Sequence, residues 1–252
     1  MRLLTLARNL RRRKAREGER LFVAEGVRAV EELLRSPLAI RGVLVAPQLD
    51  GSPRGAALRP LLASAGVAVT AVDEREFSSA AETDSPQGVL AVAETPDRSL
   101  SQFERHEPLR LLVLDALQDP GNVGTILRTA AAFGVTATVA LPGTVDLWNA
   151  KVVRSAMGAH FTHPAFHCTW DDLVSFLSAG AVPLWGADGG GELIGTSAPP
   201  SRLALAVGNE GAGLTAAVRG AVERLVSVPI TSDVDSLNVA VAAGILLHQL
   251  RP

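Results

Sequence analysis

The chain has 252 residues, 47% of them apolar and 20% charged, with a formal net charge of −2. That length admits one large domain or two modest ones with packed cores, and no apolar run reaches the roughly 18 residues that a membrane span needs. The single cysteine, Cys168, excludes an internal disulfide and a cysteine-built zinc site, and fits a reducing, cytoplasmic compartment. Net acidity argues against a nucleic-acid partner, but the charge is unevenly spread. Residues 1–20 carry eight basic side chains, among them Arg11, Arg12, Arg13 and Lys14, against Glu17 and Glu19. A basic segment on an acidic body reads either as a phosphate-binding arm or as a solvated helix face. The same segment lacks the apolar core of a secretory signal, while an arginine-bearing transit peptide stays open. The chain has no tyrosine, which argues against wide base-stacking platforms.

In chain order, residues 1–18 read as a basic helix. An amphipathic helix follows over roughly 26–35, with Val27, Val30, Leu33 and Leu34 at helical spacing. Val43–Val45 is a short buried strand, Leu58–Ala65 a helix ended by Gly66, and Val67–Val72 and Gly88–Ala93 are strands. This alternation predicts a small α/β domain over residues 1–95. Residues 96–108 are polar with proline near both ends, and read as a linker.

The second domain, 109–252, repeats one unit: apolar strand, turn, helix. Leu111–Leu114 leads through Asp119-Pro120-Gly121-Asn122-Val123-Gly124 into a helix ending near Phe133. Val135–Leu141 is a strand, followed by helices over Ala150–Met157 and near Asp171–Leu177. Leu203–Val207 enters Gly208-Asn209-Glu210-Gly211-Ala212-Gly213. Leu225–Val228 is the last strand, and Ser236–Leu250 the last helix. Continuous apolar strands alternating with helices imply a mostly parallel sheet covered on both faces.

Three polar turns therefore follow three apolar strands, and in open α/β sheets ligands sit beyond the carboxyl ends of the strands. In the first turn Asn122 is a candidate cap for the helix that follows. On that helix Val123, Ile126, Leu127 and Ala130 form an apolar stripe, and Arg128 lies about 140° away from Val123. The second turn has three glycines in six residues, yet matches neither the dinucleotide fingerprint nor a P-loop. Glu210 stands out there because a turn does not require an acid. After the third turn comes a helix apolar all round, which predicts complete burial. Asp235 or Ser236 would cap it, leaving Asn238 unneeded for that purpose.

These three turns, in this order and each after a strand, resemble the motifs of SpoU-type (TrmH-like) RNA 2′-O-ribose methyltransferases. The third is carried by Val228-Pro229-Ile230 and Asp235-Ser236-Leu237-Asn238-Val239-Ala240. Phe22-Val23-Ala24-Glu25-Gly26 and Ser85-Pro86-Gln87-Gly88-Val89 resemble the family's RNA-binding domain. The sequence departs from the usual pattern at Ser232 and Asp233, where glycines are common.

The resemblance implies a SPOUT-class α/β domain with a C-terminal trefoil knot, a homodimer, and S-adenosylmethionine as cofactor. The cofactor would be held around Val207, Gly208, Asn209, Gly213, Val228, Ile230, Ser236 and Leu237. Asn122, Arg128, Glu210, Ser236 and Asn238 match the family's functional polar positions. Lys151 and Arg154, with Arg11, Arg12, Arg13 and Lys14, would contact RNA phosphates. The separate N-terminal domain and the Lys151–Arg154 segment favour large-subunit ribosomal RNA over transfer RNA. The family proposal makes Arg128 the general base. A guanidinium does not readily lose its proton, so a clamp on the neighbouring phosphate, paired with or positioned by Glu210, is the alternative. Two other readings stand beside this one: a non-catalytic RNA-binding or ribosome-assembly protein on the same scaffold, and a nucleotide-cofactor oxidoreductase. The absent dinucleotide fingerprint weighs against the latter. No metal is implied.

Overall fold

The computed structural model describes residues 2–251 except 196, 197, 232, 234 and 235. Two compact units form, Met1–Asp97 with Trp148–Thr162, and Arg98–Leu147 with His163–Pro252. The chain runs through α1 (Leu3–Asn9), α2 (Arg13–Glu19), β1 (Leu21–Glu25), α3 (Val27–Leu34), β2 (Ile40–Val45), α4 (Pro53–Ser64), β3 (Val69–Ala71), α5 (Glu74–Ala80) and β4 (Val89–Glu94). The first unit's sheet has the order β1-β4-β2-β3, with β2–β3 parallel and the other pairs antiparallel. α3 buries Val27, Val30 and Leu33 at the expected spacing. Ser52 and Asp73 accept hydrogen bonds from the first-turn N–H groups of α4 and α5.

The basic N-terminal segment is two helices rather than one. Leu10 is buried, the helix stops there, and Arg16 folds back so that Nη1 donates to the Leu10 carbonyl at 2.7 Å and the Arg11 carbonyl at 2.9 Å. One arginine of the arm is thus buried and spent on the open carbonyl end of α1. Arg11, Arg12, Arg13 and Lys14 are exposed. Arg12 bonds Asn9, and Arg13 pairs with Glu17.

Beyond β4 come β5 (Leu109–Asp115), α6 (Pro120–Ala132), β6 (Ala137–Ala140), α7 (Ala150–Ser155), β7 (Ala165–His167), α8 (Trp170–Ala179), β8 (Leu184–Leu193), β9 (Arg202–Gly208), α9 (Ala216–Ala221), β10 (Arg224–Ser227) and α10 (Val239–Gln249). Strands β5 to β10 make one sheet of order β10-β8-β9-β5-β6-β7 in which every pairing is parallel. β5 and β6 are buried along their whole length, as apolar runs in a doubly covered sheet should be.

Three features depart from the sequence reading. Residues 148–162, read as part of the second domain, pack into the first unit, where Val153 and Phe161 join the core around Phe22. In the expected linker, Leu100 and Phe103 are buried in the second unit's core, and Phe103 stacks on Phe166 at 6.0 Å between ring centroids. α10 packs along α6 and buries Ala240, Ala243, Leu246 and Leu247, but Val241 and Ile245 remain 52% and 36% exposed. The helix is apolar all round, yet this chain covers only one of its faces.

Candidate functional site

A cleft of about 280 Å³ opens beyond the carboxyl ends of β9 and β10, beside residues 187–189 of β8 and the start of α10. Val207, Gly208, Asn209, Gly213, Val228, Ile230, Ser236 and Leu237 all line it, together with Glu210. The second and third turns therefore share one cavity.

An irregular stretch of β8, not singled out from the sequence, completes the cavity. β8 pairs with β10 at Leu225↔Gly186 and resumes at Val226↔Glu192, so residues 187–191 leave the ladder. Ala187, Asp188 and Gly189 of this excursion line the cleft. Its return is held tightly. Ser227 Oγ donates to the Gly191 carbonyl at 2.8 Å, and a Cβ on Gly191 would lie 2.6 Å from the Leu225 carbonyl carbon. Three consecutive glycines after an acid were the available signal.

Asn209 organises the glycine turn. Its Oδ1 accepts from the backbone N–H groups of Gly211 and Ala212 at 3.0 and 3.1 Å, and its Nδ2 donates to the Ala116 carbonyl at 3.0 Å. Backbone bonds in both directions join Asn209 and Gly213. The crossing is so close that a Cβ on Gly208 would sit 2.3 Å from the Gly213 carbonyl carbon, and Gly213 itself has φ +70°.

Asn122, Glu210 and Asn238 come together from three turns. Asn238 caps α10: its Oδ1 accepts from Ala240 N–H at 2.9 Å and Val241 N–H at 3.4 Å. Its Nδ2 donates to Asn122 Oδ1 at 3.0 Å, and Asn122 Nδ2 donates to Glu210 Oε1 at 2.9 Å. Both expected caps are corrected. Asp119, not Asn122, caps α6, accepting from the Asn122 N–H at 2.6 Å. This leaves the Asn122 side chain free to reach across to Glu210 and Asn238. At α10 the cap is Asn238 itself, because the helix begins at Val239. Ser236 lies before that helix on the cleft wall, and Ser232 and Asp235 lie outside the described residues.

Arg128 is exposed on α6, while Val123, Ile126, Leu127 and Ala130 on the opposite stripe are fully buried. The expected Arg128–Glu210 pair is not formed: among the described residues Arg128 makes no hydrogen bond or ion pair, and Glu210 accepts from Asn122 instead. Lys151 and Arg154 lie on α7 in the first unit. Lys151 is exposed, whereas Arg154 is half-buried and its Nη1 is enclosed with no hydrogen bond among the described residues. Among the described residues no group of three or more His, Cys, Asp or Glu is arranged to hold a metal ion, and no helix is long and apolar enough to cross a membrane.

A parallel sheet with glycine-rich turns closing one cleft at its carboxyl edge defines an α/β domain built to hold a small ligand at the strand ends. Residues 110–248 match the model of the SpoU rRNA methylase family, and residues 5–91 that of the MRM3-like substrate binding domain. The chain belongs to the SpoU rRNA methylase family. The 23S rRNA (guanosine(2553)-2′-O)-methyltransferase RlmP of Bacillus subtilis (strain 168) is 36% identical over 250 residues, which cover 97% of this chain and 94% of that protein. The 23S rRNA (guanosine-2′-O-)-methyltransferase RlmB of Ralstonia nicotianae is 34% identical over 194 residues, 74% of this chain and 77% of its own length. The fold aligns with the SpoU methyltransferase AviRb of Streptomyces viridochromogenes in complex with AdoMet (TM-score 0.88, 26% identity, 99% of this chain and 97% of that one). It also aligns with an AdoMet-bound rRNA methyltransferase from Sinorhizobium meliloti (TM-score 0.83, 29% identity, 99% and 94%).

Proposed function

We propose that this protein is an S-adenosylmethionine-dependent RNA ribose-2′-O-methyltransferase acting on 23S ribosomal RNA, working in the cytoplasm as a homodimer with a knotted C-terminal domain. The observation that carries the reading is the cleft shared by the glycine turn and the third turn, with Glu210 on its wall and bonded through Asn122 to Asn238. The relatives RlmP and RlmB, named as 23S rRNA methyltransferases, support the substrate.

The cleft's chemistry fits an adenosyl sulfonium compound. Val207, Val226, Val228, Ile230 and Leu237 offer apolar walls for a flat base and a methylene chain, and Asp188, Asn209 and Glu210 offer polar contacts. When bound, the cofactor supplies a methyl group already activated on sulfur. The chain's own tasks are then to align the ribose 2′-hydroxyl and ease its deprotonation, and alignment alone is worth roughly 7–11 kcal/mol of barrier at best. Asn122 and Asn238 hold each other's amides in fixed orientation and orient the ribose. Arg128, uncommitted within the described residues, clamps the phosphate next to the target and stabilises the charge that develops on the 2′-oxygen. Lys151, Arg154 and the exposed arginines and lysine of residues 11–14 hold other phosphates of the RNA. Val241 and Ile245 provide the apolar face for a second copy.

The test is transfer of labelled methyl from S-adenosylmethionine to 23S rRNA and tRNA transcripts, followed by alkaline hydrolysis. Label in 23S rRNA at a linkage that resists alkali is expected, because a methylated 2′-oxygen cannot attack its phosphodiester. Label confined to tRNA, or none despite cofactor binding, overturns the reading.

A further inference from the structure

Asp188 has a position that the motifs do not account for. It sits in the excursion 187–191 and lines the cleft, with a quarter of its side chain exposed. Its Oδ1 accepts from the Gly190 N–H at 2.9 Å, and its Oδ2 is held by Arg219 Nη2. The Gly190 N–H first, then Arg219, hold the carboxyl below the usual aspartate range. Arg219 belongs to α9, the helix that follows the glycine turn, and its Nη2 is the nearest atom, at 3.9 Å, to where a Gly213 Cβ would stand. The pair therefore ties the excursion to the helix that follows the glycine turn.

A carboxylate has about four acceptor positions, and two of these are used. With a guanidinium already against it, Asp188 has little field left for a second cation, but it has free lone pairs for hydroxyl donors. Glu210 differs. Among the described residues its hydrogen-bond partner is the neutral amide of Asn122 and no cation pairs with it, which suits it to the cationic end of a ligand.

We propose that Asp188 is the hydroxyl-binding residue of the cleft, taking the vicinal diol of the cofactor's ribose, with Arg219 as its positioning partner. This rests on reading the cleft as an S-adenosylmethionine site.

Titration calorimetry of the full chain with S-adenosylhomocysteine and with its 2′,3′-dideoxy analogue tests it. Asp188→Ala should bind S-adenosylhomocysteine about tenfold or more weakly, the scale of one or two charge-assisted hydrogen bonds. The dideoxy analogue should bind the wild type with a similar loss and show no further loss in the variant. Arg219→Ala should fall between. Asp188→Asn keeps the side-chain volume and an acceptor for Gly190, so it serves if the alanine variant fails to fold, and it should also lose about tenfold. Equal losses for both ligands would mean that Asp188 only shapes the loop, and wild-type affinity in both variants would mean that it touches no ligand. Either result overturns the inference alone. A folded wild type that binds neither compound overturns the inference and the cofactor reading together.

Discussion

Asn122 and Glu210, 88 residues apart, are joined by a hydrogen bond from the Asn122 amide to Glu210 Oε1 at 2.9 Å. Asn238 completes the chain, since its one amide caps α10 with its oxygen and fixes Asn122 with its nitrogen. The two jobs of Asn238 can be separated. Asn238→Ser keeps a capping oxygen but cannot span to Asn122. Its melting temperature should stay close to wild type, while turnover drops roughly 10²-fold, the scale of a misplaced positioning group. Asn238→Ala should show the same kinetic loss plus about 1 kcal/mol of destabilisation from the lost cap. Asn122→Ala should match the serine variant. Wild-type turnover in Asn238→Ser would show that the contact between the two amides is idle.

The glycine turn separates two substitutions that look alike on paper. Gly208→Ala puts a Cβ 2.3 Å from the Gly213 carbonyl carbon, which no side-chain movement relieves. Gly211→Ala meets nothing closer than Asn209 Oδ1 at 3.8 Å. Calorimetry should find cofactor binding abolished in Gly208→Ala and changed less than about threefold in Gly211→Ala, a difference under 1 kcal/mol. Binding by both variants would mean that the close crossing of 208 and 213 does not shape the site.

Arg128 distinguishes geometry from charge. A planar guanidinium can grip a phosphate through two N–H donors, and an ammonium cannot. Arg128→Lys should therefore lose roughly 10²-fold in turnover with little change in S-adenosylhomocysteine affinity, a deficit comparable with that of one lost oxyanion contact. Near-wild-type turnover in this variant would rule out the planar clamp and an arginine base alike.

The sequence revealed the site in proportion to how strongly each turn was marked. Gly208–Gly213 and the segment ending at Asn238 follow apolar strands and carry polar residues that no turn needs, so they were legible, and they line one cleft. Asn122 reads from the sequence as a candidate cap for α6, yet Asp119 takes that place: both are good cap formers three residues apart, and only the fold decides between them. The excursion at 187–191 went unread because β8 has no apolar alternation once it leaves the sheet: Ala187-Asp188-Gly189-Gly190-Gly191 reads as loop. Leu100 and Phe103 were lost among polar neighbours, since two buried residues make no period. The docking of 148–162 into the first unit depends on Phe22, Val153 and Phe161 meeting over long sequence separation, and no local pattern encodes that.

Burial sets a pH limit on the second unit. His163 is 7% exposed, its Nε2 lies 2.8 Å from Thr138 Oγ1, and desolvation brings its pKa from the ordinary 6.5 down to about 4. The unfolded chain takes up this proton first. The contribution of neutral His163 is therefore complete above pH 6.5 and is lost as pH falls from 6.5 towards 4, by roughly 3 kcal/mol in all. Urea titrations at pH 7.5 and 4.5 should show the stability gap between wild type and His163→Gln shrinking at the lower pH. A gap that is constant with pH would mean that folding leaves the proton affinity of His163 unchanged.

The exposed face of α10 predicts the assembly. Val241 and Ile245 are four residues apart, so they stand one above the other on a helix, and both are large and substantially exposed. The opposite face of α10 is engaged within the chain, where Ala240, Ala243, Leu246 and Leu247 are buried. The outward face is thus free to meet a second copy without disturbing the fold, in an isologous contact that would place α10 against its own equivalent. Because α10 begins at the Asn238 cap, dimer formation would also brace the polar chain through Asn122 to Glu210. Sedimentation velocity should show a dimer for wild type at micromolar concentration and a monomer for Val241→Asp/Ile245→Asp, with unchanged far-ultraviolet circular dichroism. The monomer should also bind S-adenosylhomocysteine more weakly than the dimer does. A monomeric wild type would sink the proposal, and a charged double variant that still dimerises would move the interface elsewhere.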